Sequence, residues 1–131
     1  PQYKLHVDGV VRAEGGFSGP GAPSDLRFKS EVKPLEGALG KLDQLRGVSF
    51  EWNKLYESQG YPRTAGKKDI GLIAQEVEKV FPELVNPLGQ SGYKAVDYTR
   101  FTAGLLEAVK ELKTQNQKLQ SEIKALQEKI R

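Results

Sequence analysis

The sequence predicts an α+β fold: a small globular body of short strands and helices, followed by a long C-terminal helix that forms a coiled coil. Three observations carry this reading. From Leu105 to Ile130, seven apolar residues and Asn116 recur at unbroken alternating steps of four and three residues, the spacing of a heptad seam. Between residues 34 and 97 the apolar pattern switches between helical and strand periods over short runs bounded by Gly and Pro. The chain's fourteen Gly and seven Pro concentrate outside the last thirty residues, which separates a turn-rich body from a helical tail.

The totals bound what this fold does. A chain of 131 residues supports one modest domain with appendages, and 37% apolar against 28% charged residues suits a small core plus an exposed helix. The absence of Cys removes disulfides and thiolate chemistry, and a single histidine, His6, argues against a metal site. No metal and no cofactor are therefore expected. The net charge of +3 is small, and basic residues from Lys110 to Arg131 are interleaved with Glu107, Glu111, Glu122 and Glu128, as on a solvated helix face. Neither nucleic acid nor membrane is expected as a partner, since no apolar run reaches spanning length and no signal peptide is present. The chain begins at Pro1 and contains no Met, and it reads as a piece of something longer.

Taken in order, residues 3–13 alternate through Tyr3, Leu5 and Val7 and turn at Asp8-Gly9, a hairpin signal. Residues 14–23 carry Gly or Pro at six of their ten positions and read as an extended linker. Ser24-Asp25 offers the cap of a short turn. Pro34 opens a helix whose face is Leu35, Ala38, Leu39, Leu42 and Leu45, ending at Arg46-Gly47. Val48, Phe50 and Trp52 alternate as a half-buried strand, and residues 53–68 form a polar loop. Ile70, Leu72 and Ile73 enter a second strand or a strand–helix junction. Gln75 to Phe81 forms a helix with Ala74, Val77, Val80 and Phe81 on one side, stopped by Pro82. Leu84-Val85 and Tyr93 to Val96 flank a Gly89/Gly92 turn as a hairpin, and Asp97 starts the long helix.

In that helix, Leu105, Leu112, Leu119 and Leu126 occupy d positions and Val109, Asn116, Ile123 and Ile130 occupy a positions. A helix packed only on its own domain carries a wider, less regular stripe, so the narrow seam marks self-association. β-branched residues at a with Leu at d, and a buried Asn116, favour two strands. Leu106 and Ala108, at e and g, widen the face near its start for a third helix or for the body.

Ser24 and Lys29 carry the one candidate chemistry. A Ser–Lys pair supplies a nucleophile and a base without histidine. A free lysine is protonated at neutral pH, so such an amine needs an apolar wall or a like charge before it takes a proton. Phe28 offers the wall and Arg27 the like charge, while Asp25 opposes both. On an extended strand five residues span about 16 Å and end on opposite faces. The chain must therefore bend between Ser24 and Lys29, or the two groups must come from neighbouring subunits.

The runs SDLRFKSEVKPLEGALGKLDQLRGVSFEWN, KKDIGLIAQEVEKVFPELV and GYKAVDYTRFTAGLLEAVKELK, in that order, resemble the C-terminal intramolecular chaperone domain of endosialidases and phage tail spikes and fibres. The same self-cleaving module occurs in bacterial surface fibres and in the myelin regulatory factor. The resemblance implies a domain that helps three chains of an upstream fibre or spike assemble and then releases itself. Carried onto this sequence, it makes Ser24 the nucleophile and Lys29 the base, with scission between Pro23 and Ser24. Asp25 and Arg27 complete the motif, and Gln75 and Glu76 serve as scaffold or subunit contact. It implies that residues 1–23 are the end of a stalk and linker, 24–101 the chaperone and autoprotease body, and 102–131 the helix of a homotrimeric coiled coil. The partners it implies are further copies of the chain and the upstream region of its own precursor. The implied location is a virion tail fibre or spike, or a bacterial cell-surface fibre, made in the cytoplasm of the bacterial host. The alternative is a structural trimerisation or adhesion tip that does not cleave. A regulator released from a membrane-anchored precursor fits less well with the fibre-like segment upstream.

Overall fold

The computed structural model describes residues 23–61 and 63–131, which fall into two units, Pro1–Pro34 and Leu35–Arg131. The hairpin expected over 3–13, His6, and all but the last residue of the expected linker lie outside the described residues. In the second unit the order is α1 (Ala38–Asp43), β1 (Val48–Glu51), α2 (Lys54–Ser58), β2 (Lys68–Gly71), α3 (Ala74–Val80), β3 (Val85–Pro87), β4 (Lys94–Val96) and α4 (Phe101–Ile130). This is the expected mixture of short strands and helices with a long C-terminal helix. The strands form two separate antiparallel pairs, β1 with β2 and β3 with β4.

Strand β1 alternates as the sequence predicts, with Val48 and Phe50 half-buried and Ser49 and Glu51 exposed. Its register pairs Val48 with Gly71 and Ser49 with Ile70, which leaves Ile70 on the open face beside Ser49. The hairpin over 84–96 also forms, with Val85 opposite Val96. Its turn needs residues at positive φ, and Gly89 and Gly92 adopt 57° and 80°.

Two element expectations are corrected. The helix expected from Pro34 to Arg46 is only α1, because Gly37 sits in the left-handed region at φ 67° and helical geometry begins after it. Pro34 and Leu35 lie outside it. The polar loop expected over 53–68 contains α2, started by Asn53, whose side chain accepts from the Tyr56 N–H at 3.0 Å. This short helix is tied to β1 by stacked rings: Trp52 on Tyr56 at 4.0 Å between centroids, and Tyr56 on Tyr61 at 4.8 Å.

The core forms where α3 and the start of α4 meet. Val77 has no exposed surface, and Phe81, Leu84 and Phe101 are buried with it, flanked by Leu42, Leu72 and Val96. Phe81 and Phe101 meet edge to face at 6.0 Å. Each large side chain taken out of water here contributes roughly 1.5–3 kcal/mol. Pro82 ends α3 as expected and opens a 3-10 turn, Pro82–Leu84, that brings Leu84 into the core.

Helix α4 presents two faces. Phe101, Gly104 and Ala108, three and four residues apart, are buried on the side that packs against α1. Gly104 permits the close approach, since a Cβ there would lie 3.3 Å from the Phe81 ring. The seam residues Leu105, Val109, Leu112, Leu119, Ile123, Leu126 and Ile130 are all exposed on the single chain. Of the two widening residues, Ala108 serves the body and Leu106 stays exposed.

The expectation of a solvated Glu111 is corrected as well. Its carboxylate accepts from the Ala38 N–H at 3.0 Å and the Leu39 N–H at 3.1 Å. These are donors that the first turn of α1 leaves without helical partners, and Gly37 has no side chain to serve them. An acidic group at this end also suits the helix dipole.

Candidate active site

The segment carrying Ser24 and Lys29 is built by local hydrogen bonds. Leu26–Phe28 forms one 3-10 turn, in which the Phe28 N–H donates to the Asp25 carbonyl at 3.1 Å and the Lys29 N–H to the Leu26 carbonyl at 3.0 Å. Asp25 is the cap, its Oδ1 accepting from the Arg27 N–H at 2.9 Å. The turn supplies the bend that extended geometry lacks. As a result Lys29 Nζ donates to Ser24 Oγ at 2.6 Å, within one chain. Of the two ways of bringing the pair together, a bend or a neighbouring subunit, the bend is the one observed.

Asp25 and Arg27 do not act on the pair separately, as the sequence alone implied, but bind each other. Arg27 Nε donates to Asp25 Oδ1 at 3.0 Å and Arg27 Nη2 to Oδ2 at 2.9 Å. These bonds, with the Arg27 N–H, hold the Asp25 carboxyl below the usual aspartate range. Phe28 is 78% exposed and forms no wall about Lys29; Leu26 is 71% exposed, and Pro23, Ser24 and Lys29 are exposed too. The pair is thus arranged but solvated in the single chain.

Gln75 and Glu76 lie in the first turn of α3, in the other unit. Glu76 pairs with Arg46 at 2.8 Å, joining α3 to the segment after α1. Gln75 is exposed and lines a groove of about 480 Å³ whose walls include Trp52, Tyr56, Leu72, Tyr93 and Tyr98. On β2, opposite Phe50, Asp69 accepts from Trp52 Nε1 at 3.1 Å and pairs with Arg63. The Ile70 N–H, then Trp52 and Arg63, keep the Asp69 carboxyl below its ordinary range. The last helix starts at Phe101 and not at the expected Asp97, which lies in the turn before it, accepting from the Arg100 N–H at 3.0 Å and pairing with the Arg100 side chain, bonds that lower its carboxyl likewise.

Residues 24–86 match the model of a peptidase family described as the chaperone of endosialidase, and the match begins at Ser24 itself. The chain carries a chaperone-of-endosialidase domain. Curated relatives agree. The chain is 34% identical over 103 residues to a long tail fiber protein of Enterobacteria phage K3, covering 76% of this chain and 8% of that protein. It is 31% identical over 124 residues to the long tail fiber protein of Enterobacteria phage Ox2, covering 86% of this chain and 48% of that one. A myelin gene regulatory factor-like protein of Dictyostelium discoideum is 27% identical over 92 residues, 68% of this chain and 10% of its own length. The chain therefore spans about half or less of these relatives.

Within this chaperone domain, sequence reasoning missed Glu111 and the Asp25–Arg27 pairing. The second had a visible signal, an Asp two residues before an Arg in a stretch too short for periodicity. Glu111 had none, since its partners lie 72 and 73 residues away.

Proposed function

We propose that this domain is an intramolecular chaperone that drives trimeric assembly of an upstream fibre and then releases itself by cutting the Pro23–Ser24 bond. The observation that carries the reading is the 2.6 Å contact between Lys29 Nζ and Ser24 Oγ. Membership of the family and the tail-fibre relatives support the fibre-associated role, with a virion tail fibre as the location. In this reading, residues 1–23 end the stalk, 24–101 form the body and 102–131 the coiled coil, whose exposed seam closes against two further copies. Gln75 and Glu76 are scaffold or subunit contacts.

The chemistry needs no cofactor. Lys29, once neutral, takes the proton of Ser24 Oγ as that oxygen bonds to the Pro23 carbonyl carbon. The C–N bond to Ser24 breaks and Lys29 returns the proton to the departing nitrogen, leaving an ester and a free amine. Water then hydrolyses the ester, giving a Pro23 carboxylate and a Ser24 hydroxyl. Because the single-chain pair is solvated, the apolar surroundings that favour a neutral amine come from assembly, so cutting follows trimerisation. Loss of the template then leaves the stalk kinetically trapped. The test is refolding followed by a denaturing gel: wild type separates into 1–23 and 24–131, and Ser24→Ala stays whole.

The exposure of Ser24, Phe28 and Lys29 also fits a second reading, a structural trimerisation tip whose pair is idle. It gives trimers in solution and no fragments from any variant.

A further inference from the structure

The Asp25–Arg27 pair has a geometry that neither a cap nor a surface ion pair alone requires. Asp25 Oδ1 accepts twice, from the Arg27 N–H and from Arg27 Nε, while Oδ2 is taken by Nη2. Both carboxylate oxygens are thus committed to one neighbour. The Asp25 carbonyl meanwhile accepts from the Phe28 N–H. A single residue therefore fixes the start of the turn through its backbone and side chain together. Without the turn, Lys29 and Ser24 revert to the extended spacing that keeps them apart.

Charge makes the second half of the case. An ion pair between Asp25 and Arg27 presents little net charge to its surroundings, whereas a free Asp25 carboxylate is an acceptor on the same short turn as the Lys29 ammonium. Such a carboxylate favours the protonated amine, which cannot act as a base. The other charged groups of the segment, Glu31 and Lys33, lie beyond the turn; Glu31 stands at φ 53°, and neither has a hydrogen bond to Ser24, Asp25, Arg27 or Lys29 among the described residues.

We infer that the Asp25–Arg27 pair is a positioning device for the proposed cleavage, holding the turn that delivers Lys29 to Ser24 and keeping the Asp25 carboxylate away from Lys29. The inference rests on the self-cleavage reading for its kinetic consequence, but the turn itself is measurable without cleavage.

Two experiments test it. First, rates of self-cleavage against pH are compared for wild type, Arg27→Gln, Asp25→Ala and the double variant Asp25→Asn/Arg27→Gln. Arg27→Gln moves the rise of the profile upward by about one pH unit, the lower end for an opposite charge beside a titrating group. The double variant, with no carboxylate to unmask, returns the rise to the wild-type position. Asp25→Ala slows cleavage about tenfold or more across the whole range by loosening the turn. An unmoved profile in Arg27→Gln overturns the masking role. Second, amide exchange is measured in the non-cleaving Ser24→Ala background. The Phe28 and Lys29 amides, protected by the turn, lose protection when Asp25→Ala is added, while the Val77 amide in the body is unchanged. Equal protection with and without the Asp25 side chain overturns the turn-holding role, whether or not wild type cleaves. Absence of cleavage in wild type with the exchange result intact removes the self-cleavage reading and leaves the turn-holding role standing.

Discussion

The turn that carries Ser24 and Lys29 and the body that begins at Leu35 are held by different forces. In the turn, the six consecutive residues from Ser24 to Lys29 supply every bond, and no side chain is buried. In the body, the bonds that matter span long stretches of chain: Glu111 caps α1, and Phe81 meets Phe101 beneath α4. The first arrangement orients chemical groups without shielding them. The second holds a scaffold and contains neither member of the Ser24–Lys29 pair. Substitutions should accordingly separate the two, one class abolishing cleavage in a folded protein and the other unfolding the body.

The sharpest separation comes from Lys29→Arg. Arginine keeps the positive charge and can still donate to Ser24 Oγ, but its guanidinium does not give up a proton. Self-cleavage should fall roughly a thousandfold or more, read as intact chain on a gel over time. The unfolding free energy should stay within about 0.5 kcal/mol of wild type, as for other exposed substitutions. The converse is Phe81→Ala, which empties a buried ring site and should cost about 3–5 kcal/mol in denaturant unfolding. Nearly unchanged stability there would contradict the assigned core.

The two faces of α4 extend the comparison within one helix. Leu119→Ser with Ile123→Ser removes seam residues that are exposed in the single chain. Association should weaken by roughly 1.5–3 kcal/mol for each side chain buried in an assembled seam, seen by sedimentation as monomers. The body should keep its unfolding midpoint at a concentration where both proteins are monomeric. Trimers that persist in the double variant would place the contact elsewhere.

The smallest effect is on pH. The Asp97 carboxyl is lowered by its bonds to the Arg100 N–H and side chain. Its folded value lies below its unfolded one, so its contribution is present above about pH 4 and is lost as pH falls through the folded value. Asp69 acts in the same direction. Asp97→Asn should therefore lose fewer degrees of thermal midpoint than wild type between about pH 5 and pH 2, a difference of a few degrees.

The same division between local and distant interactions decides what was legible in the sequence. The seam, the helix after Asp97, the strand alternation at Val48 and Phe50, and the core positions Val77 and Phe81 follow from periodicity and stop signals, which are local. The bend between Ser24 and Lys29 was legible as a requirement, with Asp25 as its visible cap. Helix α2 was hidden because its five residues are too few to show a period. The start of α1 was misplaced because Gly37 takes a left-handed conformation that Pro34 upstream did not foretell. The role of Glu111 is hidden because nothing near it in the sequence points to the open end of α1.

The central claim is that Ser24 and Lys29 cut the chain at Pro23–Ser24 once it has folded. Intact-mass measurement of refolded wild-type protein beside Ser24→Ala tests it most directly. The account predicts masses for residues 1–23 and 24–131 from wild type and a single full-length mass from the variant. A full-length mass from both, in protein shown to be folded and associated, would contradict it.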